Sequence, residues 1–349
     1  MQVVPTLELP DAPAIAGLCF RYPRLPDDWT PIAELATACQ LADGVEEVST
    51  AASLAADWGN LVDFAPERDM LLAEIDGRVV GLAAGRPRLR DGAMALESWC
   101  KVHPDVRRRG LGTALHHWIR RRLAERAARD PRPGPRQFRG WALDAELGDV
   151  ALFHQEGFVP IRSGFEMRRP LTGRLPDLAL PRGLAMRPVR DEDIRAILIA
   201  EDEAFRDHWG HADMTEDDVR STLSNPDLDT GLWCVAWDGE EVAGVVQNTI
   251  FRTENEVLGL ARGWLERVSV RRPWRGKGVA KALVAASLRV LRDHGMDEAW
   301  LGVDASNPTG ALQLYEGLGF VVSKRWAAYG RPLEGPAPSG WDGTADSKS

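Results

Sequence analysis

Two segments of this sequence combine an apolar strand end, a turn with closely spaced arginine and glycine, and the start of a long amphipathic stretch. The first runs from Val102 to Leu115, and the second runs from Val270 to Leu283, 168 positions later. The N-terminus of a helix exposes unpaired backbone N–H groups and a partial positive charge, which together attract anions. Successive N–H groups in a turn form a concave site for phosphate oxygens. We therefore predict two phosphate-binding loops, each at the start of a helix.

The side chains of the two loops support the same interpretation. Glycine lets the backbone approach a ligand without a Cβ in the way, and neighbouring arginine or lysine adds positive charge. Neither loop has the Gly-Lys-Ser/Thr of a Walker loop. A strand–helix turn with solvated arginines is the alternative, but the motif occurs twice in a repeated frame. The candidate residues are Arg275, Gly276, Lys277, Gly278, Val279 and Ala280 in the second loop, and Val102, Arg107, Arg108, Arg109, Gly110, Leu111, Gly112 and Thr113 in the first.

A second pair of segments, each ending in Gly-Phe, differs more strongly between the two halves. The C-terminal copy contains Asn307, Ala311, Tyr315 and Gly319, each four residues after the one before. When the N-terminal copy is aligned on Gly-Phe, Phe153 takes the place of Tyr315, and no asparagine matches Asn307. A phenyl ring cannot donate a proton, whereas a phenol can. The sequence predicts that only the C-terminal half keeps this proton donor.

These motifs together resemble the GNAT superfamily of N-acetyltransferases, whose pyrophosphate loop and distal Asn-x-x-x-Ala-x-x-x-Tyr-x-x-x-Gly-Phe segment they match. The resemblance implies direct transfer of an acetyl group from acetyl-CoA, the cosubstrate, to a primary amine of a small molecule. It implies that Asn307 helps to hold pantetheine and that Tyr315 protonates the leaving thiolate. It also implies that the strand residues Val268, Ser269 and Val270 pair with pantetheine, and that a backbone N–H there holds the oxyanion.

An ammonium acceptor must lose a proton before it attacks, and the superfamily commonly uses a strand carboxylate, directly or through water. Glu266 is our candidate because strand alternation would point its side chain to the same face as Val268, two residues later. A charged residue at the rim of a site is the alternative. Glu97 of the first half aligns with Leu265 and should face the other way. This mismatch is a second reason to place the chemistry in the C-terminal half.

Further landmarks recur at an offset of 162, namely an Asp-Gly hairpin signal at Asp76 and Asp238 and a Gly-Phe pair at Gly157 and Gly319. Such a repeat indicates duplication, and a chain of 349 residues is long enough for two domains. The resemblance implies an α/β fold, with α+β mixed sheets, in two tandem GNAT domains. Each would have a mostly antiparallel twisted sheet flanked by helices. We predict a degenerate N-terminal domain over 1–170, a linker over 171–183, a catalytic domain over 184–332 and a disordered tail over 333–349.

Composition and charge argue against several classes of protein. The net charge of −9 argues against nucleic acid and anionic membranes as partners. The sequence has no run of 18 apolar residues, so we expect no membrane span. Met1–Asp11 lacks a basic segment followed by an apolar one, so we expect no secretory signal. Four irregularly spaced cysteines are typical of a reduced, cytoplasmic protein. His208 and His211 lack a third ligand at suitable spacing, so we expect no metal.

Several polar residues near the first helix of the second half are candidates to bind a cationic amine. A solvated acidic helix end fits them equally well. They are Asp202, Glu203, Asp207, His208, Trp209 and His211. The layout also resembles the tandem superfamily member that acetylates an aminoglycoside-linked cysteine. Two alternatives stay open, a non-catalytic CoA-binding scaffold and a protein N-acetyltransferase. Both a monomer and a homodimer fit, because the two halves could mimic the dimer of single-domain relatives.

Overall fold

Each half of the chain contributes helices packed on strands in the computed structural model, which describes residues 6–59, 61, 63–90, 92–306 and 310–335. The chain divides into two units. Unit 1 holds the described residues up to Arg162 and those from Ala327 onward, and unit 2 holds Ser163–Trp326. Among the described residues, no helix combines the length and the apolar character needed to cross a membrane. The predicted α/β class, with mixed sheets flanked by helices, is confirmed.

The described residues of unit 1 form five complete strands and five α-helices. They are β1 (Leu18–Arg21), α1 (Trp29–Ala42), α2 (Ala51–Gly59), α3 (Pro66–Asp69), β2 (Met70–Ile75), β3 (Arg78–Arg90), β4 (Ala93–Val102), α4 (Leu111–Arg129), β5 (Arg136–Leu143) and α5 (Leu147–Gln155), followed by β6 (Val159–Pro170), which continues into unit 2. The order β1-β2-β3-β4-β5 is antiparallel except for β4 and β5, which run parallel. The C-terminal residues extend this sheet, since the N–H of Leu333 donates to the carbonyl of Arg136 at 2.9 Å.

Unit 2 repeats this arrangement. Its elements are β7 (Leu184–Met186), α6 (Ile194–Phe205), α7 (Glu216–Ser224), β8 (Cys234–Asp238), β9 (Glu241–Thr249), α8 (Arg252–Leu258), β10 (Arg262–Val270), α9 (Val279–Asp293), β11 (Glu298–Asp304) and α10 (Ala311–Gly317), followed by β12 (Val321–Pro332), which continues into unit 1. The strand order is β6-β11-β10-β9-β8-β7, and β10 and β11 are its parallel pair.

The long helices α4 and α9 pack on the sheets through one apolar face. In α4 the buried Leu111, Leu115, Ile119 and Leu123 recur every four residues, which places them on one side of a helix. Helix α9 buries an equivalent stripe that begins at Val279. Because the buried stripe starts at the first residue of each helix, the helix N-terminus and the loop before it lie at the end of the preceding strand. The fold therefore fixes the position of both predicted loops.

The parallel strands of unit 2 separate towards their carboxyl ends. β10 and β11 pair over only Arg262–Trp264 and Glu298–Trp300. Beyond this point β10 remains paired with β9 as far as Val270, and β11 remains paired with β6 as far as Asp304. The edges of β10 and β11 that face each other are therefore open from Leu265 onward.

The units are not the two contiguous segments that we expected. The C-terminal part of β6, from Ser163, belongs to unit 2, and the end of β12, from Ala327, belongs to unit 1. The expected linker over 171–183 also contributes to unit 2, because Leu171 and Leu175 are buried in its core at 1% and 8% exposure. Most of the predicted tail, from 336 onward, lies outside the described residues.

Candidate active site

The loop between β10 and α9 exposes the backbone N–H groups that an anion requires. After a 3-10 turn over Arg272–Trp274, the chain passes through Gly276 and Gly278 at φ angles of +72° and +88°. Residues other than glycine rarely adopt this backbone conformation. A Cβ on either glycine would meet no atom within 4 Å. The first backbone bond of α9 runs from the N–H of Ala282 to the carbonyl of Gly278 at 3.1 Å, so the preceding N–H groups have no helical partner. This open set of donors suits a phosphate group.

Arg275 connects the loop to β10 and to the end of α6 through hydrogen bonds. Its Nε donates to the carbonyl of Val270 at 2.9 Å, and Nη2 donates to the carbonyl of Ala204 at 2.8 Å. Its Nη1 donates to a carboxylate oxygen of Asp207 at 2.7 Å. Hydrogen bonds from Arg272 and Arg275 lower the pKa of Asp207. The sequence predicts that Arg275 binds phosphate, whereas in the structure these three donors bond to groups within unit 2.

A cleft of about 520 Å³ opens where β10 and β11 separate. The sequence-predicted residues that line it are His208, Glu266, Val268, Ser269, Val270, Arg275, Gly276, Gly278, Val279, Ala280 and Tyr315. Lys277 is exposed on the loop and does not belong to the lining, and Asn307 lies outside the described residues. Gly302 and Trp274, which sequence analysis did not assign to the site, also line the cleft.

Tyr315 stands in α10 and is 6% exposed. Its ring lies edge-on to Phe320, with centroids 5.9 Å apart, and its carbonyl accepts the N–H of Phe320 at 3.0 Å. Burial raises the pKa of Tyr315 well above its usual range, so the phenol keeps its proton at neutral pH. A protonated phenol on the wall of a cleft can serve as a general acid.

Glu266 occupies a β-bulge. The register of β10 against β9 shifts between Leu265 and Arg267, so Glu266 is the extra residue of the bulge. The strand alternation that we used to orient Glu266 and Val268 does not hold across this extra residue. The exposed side chain of Glu266 nevertheless lines the cleft. The bulge, rather than alternation, brings it there.

The end of α6 supplies another part of the cleft wall. Ala204, Phe205 and His208 all line it. The guanidinium of Arg267 lies over the Phe205 ring at 4.7 Å, and the His208 ring lies edge-on to the same phenyl ring at 4.5 Å. Burial, with a contribution from Arg275, lowers the pKa of His208 below its usual value. The imidazole is therefore neutral at neutral pH.

Glu201 is a functional candidate that sequence analysis missed. It lies on the buried face of α6, is 3% exposed, and forms an ion pair with Arg267. Burial raises the pKa of Glu201 to about 7, although Arg267 opposes the change. The signal was available in the sequence, because Glu201 follows Ile197 by one helical turn and so shares its apolar face.

The other predicted acceptor-binding residues are distributed more widely. Glu203 pairs with Arg271 at 2.9 Å. The ring Nε2 of His211 lies 3.7 Å from Asp202 and 3.5 Å from Asp213. These last three form a group of potential metal ligands that spacing alone did not suggest. None of the three belongs to the lining of the cleft.

The loop of unit 1 closely matches that of unit 2. The Nε of Arg107 donates to the carbonyl of Val102 at 3.0 Å, and its Nη2 donates to Asp43 at 2.8 Å. Gly110 has a φ angle of +86°, and Arg108 takes the left-handed position that Gly276 has in unit 2. The remaining candidates, Arg109, Leu111, Gly112 and Thr113, continue the loop into α4.

The place that corresponds to the cleft is filled in unit 1. A Cβ on Gly140, the counterpart of Gly302, would lie 2.4 Å from the ring of Phe153. That ring stacks on Tyr329 with centroids 4.9 Å apart. Glu97 is 1% exposed and forms ion pairs with Arg86 and Arg90. Unit 1 therefore places a packed aromatic ring where unit 2 has a phenol beside open space.

Known proteins resemble both units. A profile of the acetyltransferase (GNAT) family matches residues 29–130 and 194–320. The mycothiol acetyltransferase of Salinispora arenicola is 34% identical over 270 residues, which cover 76% of this chain and 81% of that protein. The mycothiol acetyltransferase of Nocardiopsis dassonvillei is 32% identical over 337 residues, which cover 87% and 94%. The chain belongs to the GNAT acetyltransferase family.

Solved structures agree with this GNAT assignment. A GCN5-related N-acetyltransferase from Sphaerobacter thermophilus matches with a TM-score of 0.69 and 27% identity, over 93% of this chain and 99% of that one. A tandem GNAT protein from the clavulanic acid biosynthesis pathway shares the fold, with a TM-score of 0.63 over 92% and 100% of the two chains. The predicted tandem GNAT architecture is confirmed, and the chain is an acyl-CoA-dependent N-acetyltransferase.

The family match itself differs between the GNAT units. In unit 1 it ends at residue 130, before β5 and α5, and so excludes Phe153. In unit 2 it continues to Phe320 and includes Tyr315. The segment in which unit 1 departs from the family is the one that fills its cleft position.

Proposed function

We propose that this chain transfers the acetyl group of acetyl-CoA to a primary amine of a small molecule, and that the reaction takes place in the cleft of unit 2. One observation carries the proposal. The glycine loop, the open edge of β10 and the buried phenol of Tyr315 all line this cleft. The corresponding position of unit 1 is occupied by Phe153, which has no proton to give.

The donor would be held by backbone groups. The N–H groups from Gly276 to Ala280 and the positive end of α9 suit the pyrophosphate, and the exposed Lys277 adds charge at the loop. The open edge of β10 at Val268 and Val270 can pair with the pantetheine amides as a neighbouring strand would. Bound acetyl-CoA supplies the reactive thioester.

Each protein group has a distinct part in the transfer. A backbone N–H near Val268–Val270 donates to the oxygen that becomes negative, and one such donor contributes about 3 kcal/mol at the barrier. Tyr315 gives its proton to the sulfur as the C–S bond breaks. Glu266 attracts the acceptor ammonium, and a base removes its proton, directly or through water. Arg275 positions the loop through its bonds to Val270 and Ala204.

An aminosugar-linked cysteine is our proposed acceptor. The relatives are named mycothiol acetyltransferases, and the matches reach 81% and 94% of their length. The tandem layout resembles the superfamily member that acetylates an aminoglycoside-linked cysteine. The acidic Glu266 and Asp304 in the cleft lining suit a cationic amine.

The test is an acetylation assay with three acceptors. Purified protein and acetyl-CoA are incubated with cysteine in amide linkage to glucosamine, with glucosamine alone, or with a lysine-containing peptide. Products are identified by mass spectrometry, because the acceptor thiol would react with thiol reagents. We expect acetylation of the cysteine amine. Preferential acetylation of the peptide would support a protein acetyltransferase, and acetylation of none of the three acceptors would overturn the proposal.

A further inference from the structure

His208 is a cleft residue without a part in the transfer described above. It follows the end of α6, and its N–H donates to the carbonyl of Phe205 at 2.8 Å. Its ring also lies edge-on to Phe205 at an angle of 72°. Arg267, which is paired with Glu201, covers the phenyl ring. These contacts hold the imidazole at the cleft wall.

The imidazole is chemically suited to take up a proton. Within the described part of the chain, the structure shows no hydrogen bond to either ring nitrogen of His208. The charged groups that influence it are Arg275 on the loop, Arg267 on β10, Asp304 on β11 and Asp207 on its own segment. Burial and the arginines outweigh the two carboxylates, so the pKa of His208 is lowered and the ring is neutral at neutral pH.

The reaction has a place for such a group. An ammonium that becomes an amide loses two protons, one before the attack and one after the C–N bond forms. Tyr315 gives one proton to the sulfur and can recover the second amine proton. The first ammonium proton needs another acceptor, and a neutral imidazole on the cleft wall can take it.

We propose that His208 is a second proton acceptor in this cleft and takes the first proton from the ammonium that Glu266 attracts. The inference rests on the proposed function of unit 2. The amine lone pair then forms the C–N bond, the C–S bond breaks, and the sulfur receives the proton of Tyr315. Tyr315 regains a proton from the new amide nitrogen, and His208 releases its proton to solvent. The net products are the amide, the free thiol and one proton.

The first experiment compares wild type with His208→Gln, using acetyl-CoA and cysteine in amide linkage to glucosamine. We expect kcat to fall by about 100-fold, the lower end for loss of a general base, with the KM for acetyl-CoA changed less than about twofold. The kcat of wild type should decline on acidification with an apparent pKa below the usual histidine value, and this decline should disappear in the variant. His294→Gln, an exposed histidine at the end of α9, is the matched control and should retain full activity.

A second variant separates chemistry from structure. His208→Ala should regain activity when imidazole is added, in proportion to the neutral imidazole present. A His208→Gln enzyme with unchanged kcat and acid limb would overturn the inference and leave the proposed function standing. So would a His208→Ala enzyme that imidazole does not rescue and whose KM for acetyl-CoA has risen. A wild-type protein that acetylates no amine would overturn both proposals.

Discussion

The same position in the two units is filled in one and open in the other. In unit 1 a Cβ on Gly140 would lie 2.4 Å from the ring of Phe153, whereas in unit 2 a Cβ on Gly302 would meet nothing within 4 Å. Phe153 also packs on Phe158 with centroids 5.3 Å apart. Unit 1 thus uses this space for its aromatic core. The two units share the arrangement of strands and helices, but only unit 2 has open space at this position.

The loops before α4 and α9, by contrast, have nearly the same geometry in the two units. Arg107 donates to the carbonyl of the strand residue Val102 at 3.0 Å in unit 1, and Arg275 donates to that of Val270 at 2.9 Å in unit 2. Gly110 and Gly278 have φ angles of +86° and +88°. This conformation joins a strand to a helix whether or not a ligand is bound. A conserved loop geometry is therefore weaker support for catalysis than the open space beside Tyr315.

The largest expected effect comes from charge placed in the loop. Gly278→Glu puts a carboxylate where a pyrophosphate would bind, and we expect acetyltransferase activity to fall by more than about 1,000-fold. Gly110→Glu is the matched control, because both glycines are left-handed and a side chain costs each about 1–2 kcal/mol. We expect Gly110→Glu to retain activity within about threefold. Native mass spectrometry with added acetyl-CoA would count the molecules bound to each variant. The reverse pattern of activity would move the reaction to unit 1.

The next effect isolates the phenol. Tyr315→Phe makes this position of unit 2 resemble unit 1, and we expect kcat to fall by about 100-fold to 1,000-fold as the general acid is lost. Affinity for acetyl-CoA, measured by calorimetry, should change little because the ring remains. Tyr329→Phe, in the aromatic core of unit 1, serves as the control and should leave kcat unchanged. Full turnover by Tyr315→Phe would remove Tyr315 from the mechanism.

Features set by local residues could be predicted from the sequence. Short segments of the sequence show three such features: the glycines of the loops, the residues at which the following helices start, and the Phe that replaces Tyr in the first half. The starts of α4 and α9 at Leu111 and Val279 follow the predicted loops directly. The contrast between Phe153 and Tyr315 required only an alignment of the two halves.

Features set by a distant partner could not be predicted in this way. The bulge at Glu266 depends on how β10 pairs with β9, and the division of β6 between the units depends on its pairing with β11. The bonds of Arg275 to Ala204 and Asp207 cross about 70 positions of sequence. Helix α8 was not predicted, because Arg252–Leu258 is short and lacks a clear apolar period. Tertiary contacts decide each of these cases.

A stability comparison tests the filled and open positions directly. Gly140→Ala would force its Cβ against the Phe153 ring, and we expect it to lower the free energy of unfolding by about 3 kcal/mol, as overpacked cores do. Gly302→Ala adds the same methyl group to open space, so its unfolding free energy should change by less than about 1 kcal/mol. Urea unfolding of both variants measures the difference. Equal destabilisation would mean that the open space of unit 2 is not maintained in solution.

The smallest effect concerns His116, which packs beside the Phe153 cluster of unit 1. It is 1% exposed, and neither ring nitrogen has a hydrogen-bond partner among the described residues. Burial lowers the pKa of His116 from 6.5 to about 3. The unfolded chain therefore takes up a proton that the folded unit refuses, and stability is lost as the pH falls from about 6.5 towards 3. At pH 5 this loss is about 2 kcal/mol.

His116→Leu should remove this acid sensitivity, because leucine keeps an apolar side chain in the core and cannot be protonated. Hydrogen exchange of α4 amides at pH 7 and pH 5, corrected for the intrinsic rate, would show a smaller loss of protection in the variant than in wild type. His294→Leu, at an exposed position, should behave as wild type. If His116→Leu lost as much protection as wild type at pH 5, the acid sensitivity would arise elsewhere in unit 1. Burial of His116 beside the filled space of unit 1 would then not explain the acid sensitivity. The aromatic packing around Phe153 alone would distinguish the two units.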